Sequence, residues 1–133
     1  MPTFSKVSHI SFSVRDAEAS ARWWSEVFDL SEVDRPKGDG WHGILLIHPD
    51  TATIIEFQQH ERNRGEDFDP VRTGFDHMGF LVDDPADLDV WQARFEQLGV
   101  THTAVVHRDY GSVLTFKDPD RIQFEMFFRP DHP

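Results

Sequence analysis

The residues whose types and spacing could carry chemistry in this 133-residue chain are two histidines and two glutamates: His9, Glu56, His77 and Glu125. His9 and His77 stand 68 residues apart, and Glu56 and Glu125 stand 69 apart. Each His precedes its Glu by nearly the same distance, 47 residues in the first half and 48 in the second. Imidazole nitrogen and carboxylate oxygen suit borderline and hard divalent ions, so the set fits Ni, Co, Zn, Mn or Fe(II). Four protein donors leave an octahedral ion two further positions for water or substrate, the opening that separates a catalytic site from a closed structural one. The chain has no cysteine, which excludes thiolate ligation and disulfides alike.

A single histidine in a strand is more often a hydrogen-bonded or solvent-facing residue than a ligand. His42, His48, His60, His102, His107 and His132 are read that way. The glutamates resist so plain a reading, because strand interiors disfavour Glu and an unpaired buried carboxylate is costly. Trp41, Leu81, Thr103 and Phe127 are candidates to line a substrate cavity, with ordinary packing as the competing role. Tyr110, the only tyrosine, is a weaker candidate as proton donor and reads better as a turn residue. Phosphate-cradling GxxxxGK[ST] and nucleophile-bearing GxSxG patterns are both absent.

The elements that must position these groups follow from apolar periodicity. VSHISFSV (Val7 to Val14) alternates, with Ile10, Phe12 and Val14 on one face and His9, Ser11 and Ser13 on the other. Asp16 reads as an N-cap for a helix over Ala17 to Leu30, whose stripe is Ala17, Ala21, Trp24, Val27 and Phe28. Ser31 to Arg35, a polar turn around Pro36 to Gly40, and strands at Trp41 to Ile47 and Thr51 to Gln59 complete the first half. In the last of these, Thr53, Ile55 and Phe57 oppose Ile54, Glu56 and Gln58.

The second half repeats the plan. A strand at Phe75 to Val82 places Met78, Phe80 and Val82 opposite His77, Gly79 and Leu81. A helix over Asp83 to Val100 starts near Pro85, has the stripe Leu88, Trp91, Phe95 and Leu98, and is capped by Gly99; Trp24 and Trp91 are expected in the core. Strands follow at Thr101 to His107, Ser112 to Phe116 and Arg121 to Phe128, the last with Ile122, Phe124, Met126 and Phe128 opposing Gln123, Glu125 and Phe127. Helix ends at Leu30 and Val100, and Pro-Asp turns at 49–50 and 119–120, both recur at an offset of 70. The chain therefore reads as an internal duplication of α+β class: one domain over 1–133, with module 1 at about 5–60, a polar linker at 61–74 and module 2 at about 75–130. If a helix covers one face of each half-sheet, His and Glu point from the other. Two half-sheets curving toward each other would then gather all four in one cavity.

Composition bounds the partners. A net charge of −11 repels nucleic-acid phosphates and anionic lipid headgroups, and no apolar run reaches the length of a membrane span. The N-terminus lacks a basic start followed by a long apolar stretch, so a cytoplasmic location is the default expectation.

The segments VSHISFSVRD, TIIEF, FDHMGFLV and DPDRIQFEM resemble the vicinal oxygen chelate family, which includes glyoxalase I, extradiol dioxygenases, methylmalonyl-CoA epimerase, fosfomycin-resistance enzymes and bleomycin-resistance proteins. The resemblance spans nearly the whole chain. It implies two βαβββ modules forming a curved mixed sheet around a metal-binding cavity, with His9, Glu56, His77 and Glu125 as ligands. It further implies a small substrate with vicinal oxygens, a homodimer, and Glu125 or Glu56 as the base that moves a proton. The two-His, two-Glu set is most similar to bacterial-type glyoxalase I, which implies a metal-dependent isomerase or lyase. Where glutathione-using members carry an Arg four residues after the first ligand, this chain has Ser13, and Arg15 lies two residues further on. Ser13 thus becomes a candidate substrate contact, and use of a thiol cofactor is left open. The alternatives are an extradiol-type dioxygenase, a fosfomycin-type transferase, and a bleomycin-resistance-like binding protein without catalysis.

Overall fold

Alternating residues make strand β1 (Ile10–Ser13), which buries Phe12 and exposes Ser11 and Ser13. The computed structural model describes residues 1–133 and divides them into two compact units, Met1–Glu66 and Asp67–Pro133. In unit 1, β1 is followed by α1 (Ala17–Phe28), β2 (Ser31–Asp34), β3 (Lys37–Gly38), β4 (Trp41–Ile47) and β5 (Ile54–His60). Unit 2 repeats this with β6 (Met78–Leu81), α2 (Ala86–Leu98), β7 (Thr101–His102), β8 (Val106–Arg108), β9 (Gly111–Lys117) and β10 (Gln123–Phe128).

Each unit holds one mixed sheet. The orders are β1-β5-β4-β2, with β3 also on β4, and β6-β10-β9-β7, with β8 also on β9. The first strand of each unit runs parallel to the last, and every other pairing is antiparallel. Both units are therefore the βαβββ module expected of an α+β chain, with the first of the three later strands broken in two.

The breaks differ from the sequence reading and have local causes. Pro36 and Gly40 fall in the segment read as a turn, yet two residues between them, Lys37 and Gly38, rejoin β4. β2 itself carries a register shift between Glu32 and Asp34, and Arg35 and Pro36 lie outside the ladder, between it and that piece. In unit 2 the strand expected over Thr101 to His107 is interrupted at residues 103–105, where the Thr103 hydroxyl donates to the Ala104 carbonyl at 2.9 Å and accepts from the Thr115 amide at 3.2 Å.

The helices cover one face of each sheet. Asp16 caps α1 by accepting from the Ala19 amide at 2.9 Å, and Asp29 ends it in a left-handed conformation. The α1 stripe packs Trp24 against Phe57, with ring centroids 5.7 Å apart. Gly99 ends α2 at φ 67°, and Phe95 packs on Phe116 at 4.8 Å. Trp91, expected in the core, is only half-buried; Leu88 and Phe95 are the buried residues of α2. At the outer surface, Arg35 pairs with Glu32 at 2.6 Å and with Glu18, whose carboxyl its guanidinium holds below the usual carboxylate range. No helix is long and apolar enough to cross a membrane.

Phe124 sits at the centre of the unit 2 core, with Phe116, Phe80 and Phe75 around its ring at 5.5, 6.3 and 6.5 Å. Phe124→Ala is expected to lower unfolding free energy by about 3–5 kcal/mol, measured by chemical denaturation.

Candidate metal centre

Glu56 and Glu125 lie on the sheet face away from the helices. On β5, Ile55 and Phe57 turn toward α1 and are fully buried, so the alternation sends Glu56 to the opposite face. On β10, Phe124 and Met126 do the same and leave Glu125 facing the other way. Glu56 nevertheless retains only 6% exposure, which makes it one of few buried charged residues. Its Oε1 accepts from the Gln58 side-chain amide at 3.3 Å.

The histidines stand one residue before their strands. The parallel ladders begin at Ile10↔Ile55 and Met78↔Phe124, so His9 and His77 lie just outside β1 and β6 and are both exposed. In each case the preceding residue engages the ring's Nδ1: the Ser8 hydroxyl lies 3.1 Å from His9 Nδ1, and Asp76 Oδ1 lies 2.6 Å from His77 Nδ1. Asp76 is itself held by the Gln123 side-chain amide, which donates to its carbonyl at 2.9 Å and to its Oδ1 at 3.4 Å. His77 Nε2 then stands 3.6 Å from Glu125 Oε1.

The chemistry of this arrangement depends on the ring's charge. A neutral His77 that donates Nδ1–H to Asp76 turns an Nε2 lone pair toward a carboxylate oxygen, so two acceptors face one another. Their separation is too long for a hydrogen bond and falls within the roughly 3–4 Å span of two donors each about 2.1 Å from one ion. A carboxylate on the far ring nitrogen is also the usual second partner of a metal-bound histidine. The donor set of unit 2 therefore fits a divalent ion. No group of three or more His, Asp or Glu side chains able to hold a metal is gathered in the structure; unit 1 offers His9 and Glu56, and unit 2 offers His77 and Glu125.

Small residues make room for the carboxylates. A Cβ placed on Gly43 would come within 2.5 Å of Glu56 Oε1, and one on Gly79 within 3.3 Å of Glu125 Oε1. Among the candidate substrate contacts, Ser13 and Leu81 are exposed on the ligand-bearing faces, while Trp41 and Phe127 are half-buried on them. Thr103 is exposed in the break between β7 and β8. Tyr110 occupies the turn before β9, as expected, with its ring 6.2 Å from that of Phe127. Residue-by-residue reading missed Ser8, Asp76, Gln123 and the two glycines. The adjacency of Asp76 to His77 was the available signal.

The family model of the Glyoxalase/Bleomycin resistance protein/Dioxygenase superfamily matches residues 6–126. The chain belongs to this superfamily. Among solved structures, the glyoxylase/bleomycin resistance protein/dioxygenase domain from Frankia sp. EAN1pec is 33% identical with a TM-score of 0.87, covering 96% of this chain and 99% of that one. The fosfomycin resistance protein FosX of Mesorhizobium loti is 25% identical with a TM-score of 0.67, covering 94% and 92%. A curated relative, MhqA of Bacillus subtilis (strain 168), a candidate ring-cleaving dioxygenase, is 24% identical over 93% of this chain. The chain spans 40% of that relative's length. Superfamily members bind divalent metals, as in a FosX variant from Listeria monocytogenes complexed with Mn(II).

Two outcomes follow from the geometry. Asp76→Ala is expected to release the Nδ1–H preference of His77, read as a tautomer change in long-range 1H–15N NMR, with little change in Tm. Gly43→Ala is expected to displace the Glu56 carboxylate in a crystal structure, whereas Gly79→Ala should leave Glu125 near its present place.

Proposed function

We propose that this chain is a metal-dependent enzyme that binds a small substrate through two adjacent oxygens, and that its reaction is a glyoxalase-like isomerisation or lyase step. The ligands of one divalent ion (Ni, Co, Zn, Mn or Fe(II)) are then His9, Glu56, His77 and Glu125. The observation carrying this reading is the opposition of His77 Nε2 and Glu125 Oε1 at 3.6 Å, with the other ring nitrogen committed to Asp76. A His–Glu pair recurs at the matching positions of unit 1.

When bound, the ion would supply Lewis acidity that favours negative charge on a substrate oxygen. The remaining work falls to the chain's own groups. Asp76 fixes the His77 ring and its tautomer. Glu125 or Glu56, each a carboxylate on the sheet face away from the helices, takes a proton from one substrate carbon and returns it to its neighbour. Ser13 offers no charge to hold the carboxylate of a glutathione adduct, so the substrate need not be a thiol conjugate.

A ring-cleaving dioxygenase is the second reading, favoured by the likeness to MhqA. Two histidines and one carboxylate suffice for that chemistry, which leaves one of the two glutamates without a role.

Metal analysis of the purified protein decides the first point. One ion per four-ligand set is expected, with metal affinity falling at least tenfold in both His77→Ala and Glu125→Ala; unchanged content in both rejects the site. Hemithioacetal conversion with Ni(II), set against oxygen uptake on catechol with Fe(II), then separates isomerase from dioxygenase.

A further inference from the structure

The two proposed carboxylate ligands lean in opposite directions along their strands. The parallel register sets His9 level with Ile54, while Gln58 and Gly43 form the next row on the other side of Glu56. The Glu56 carboxylate lies in that far row. Its Oε1 accepts from the Gln58 side-chain amide at 3.3 Å and stands 2.5 Å from where a Cβ on Gly43 would be. It makes no ion pair with His9, whose ring meets the Ser8 hydroxyl instead. Glu125 leans the other way, with Oε1 3.6 Å from His77 Nε2.

Matched positions account for the difference. Unit 2 has Phe127 and Val113 where unit 1 has Gln58 and Gly43. Valine fills the space that glycine leaves, and phenylalanine offers no donor, so Glu125 has no place on that side. Gly79, where unit 1 has Ser11, clears its way toward His77. Gly43 is not one of the glycines with positive φ, so the backbone does not demand it. Glycine inside a strand is otherwise unfavourable, and the room it gives the carboxylate is the reason left. The hold is also light: a carboxylate can accept about four hydrogen bonds, and the Gln58 amide supplies one.

We infer that Gln58 and Gly43 are positioning residues that give the Glu56 carboxylate a resting seat away from His9, which makes Glu56 the exchangeable ligand of the proposed set and Glu125 the fixed one. When a substrate presents its two oxygens, Glu56 moves into this seat and His9, His77 and Glu125 stay. The glutamate left over in the two-histidine, one-carboxylate reading thereby gains a role. The exchange rests on the proposed metal site; the seat does not.

The test follows the Gln58 side-chain amide by 1H–15N NMR, with Zn(II) as the ion and acetohydroxamate as a two-oxygen probe. In metal-free protein, Glu56→Ala should shift both Gln58 amide protons; unmoved signals overturn the seat. Zn(II) should move the wild-type signals toward those of Glu56→Ala, and acetohydroxamate should return them. Gln58→Met keeps the bulk and removes the donor. It should tighten Zn(II) binding about threefold to tenfold in the wild-type chain and change it less than about twofold in Glu56→Ala. Gly43→Ala should tighten it in the same way, whereas damage to the fold would weaken binding in either background. Failure of Zn(II) to bind, or binding that survives both His77→Ala and Glu125→Ala, sinks the metal reading and the exchange with it. Zn(II) binding that those two variants abolish, with the Gln58 signals indifferent to ion and probe or with no tightening in Gln58→Met, overturns the exchange alone.

Discussion

A β-strand can offer any one side chain to only one of its two faces, and this limit organises both units. The face that receives the helix takes Phe57 and Ile55 in one unit and Phe124 and Met126 in the other, and these residues supply the burial that holds each unit together. The intervening residues are relieved of that duty. Glu56 and Glu125 occur in strands because their own packing is not what stabilises the strand. Glu56 accepts from the Gln58 side-chain amide, and Glu125 has His77 Nε2 at 3.6 Å.

The two units obey the same plan with different degrees of commitment. His77 has a carboxylate at each ring nitrogen and a glutamine that steadies one of them, whereas His9 has only the Ser8 hydroxyl. Glycine appears beside both glutamates but on different strands: Gly79 on the parallel neighbour of β10, Gly43 on the antiparallel neighbour of β5. The clearance each leaves differs by nearly an ångström. A duplicated module has thus kept its frame while the groups around each ligand diverged.

Much of this was legible in the residues. The α1 cap at Asp16, the αL end at Gly99, the limits of Trp41–Ile47 and the two-faced strands followed from alternation and capping, which are local rules. The ligand pairs were visible because a duplicated spacing is an arithmetic property of the chain. Strand ends were less legible. His9 and His77 sit outside ladders that the hydrophobic pattern would have extended over them, although β5 and β10 each begin at the residue opposite, Ile54 and Gln123. Trp91 was misplaced too: a helical stripe says which side faces the sheet, and the width of that sheet decides how much of the stripe it covers. The contacts of Asp76 and Gln123, 47 residues apart, depend on strand order and could not be read from either neighbourhood.

Both glutamates follow a hairpin whose backbone takes a left-handed step just before the strand, at Ala52 and at Arg121. In the second, the Asp118 carboxylate accepts from the amides of Asp120 and Ile122 at 3.0 and 2.9 Å, which pins the loop to a fixed number of residues. The parity of these loops decides which side chain looks out. One extra residue absorbed into the ladder would bring Ile55 or Phe124 to the place of the carboxylate and leave the sheet paired, whereas two would preserve the outlook of every residue. A register slip in this architecture therefore spares the outward set of side chains only when it runs in even steps.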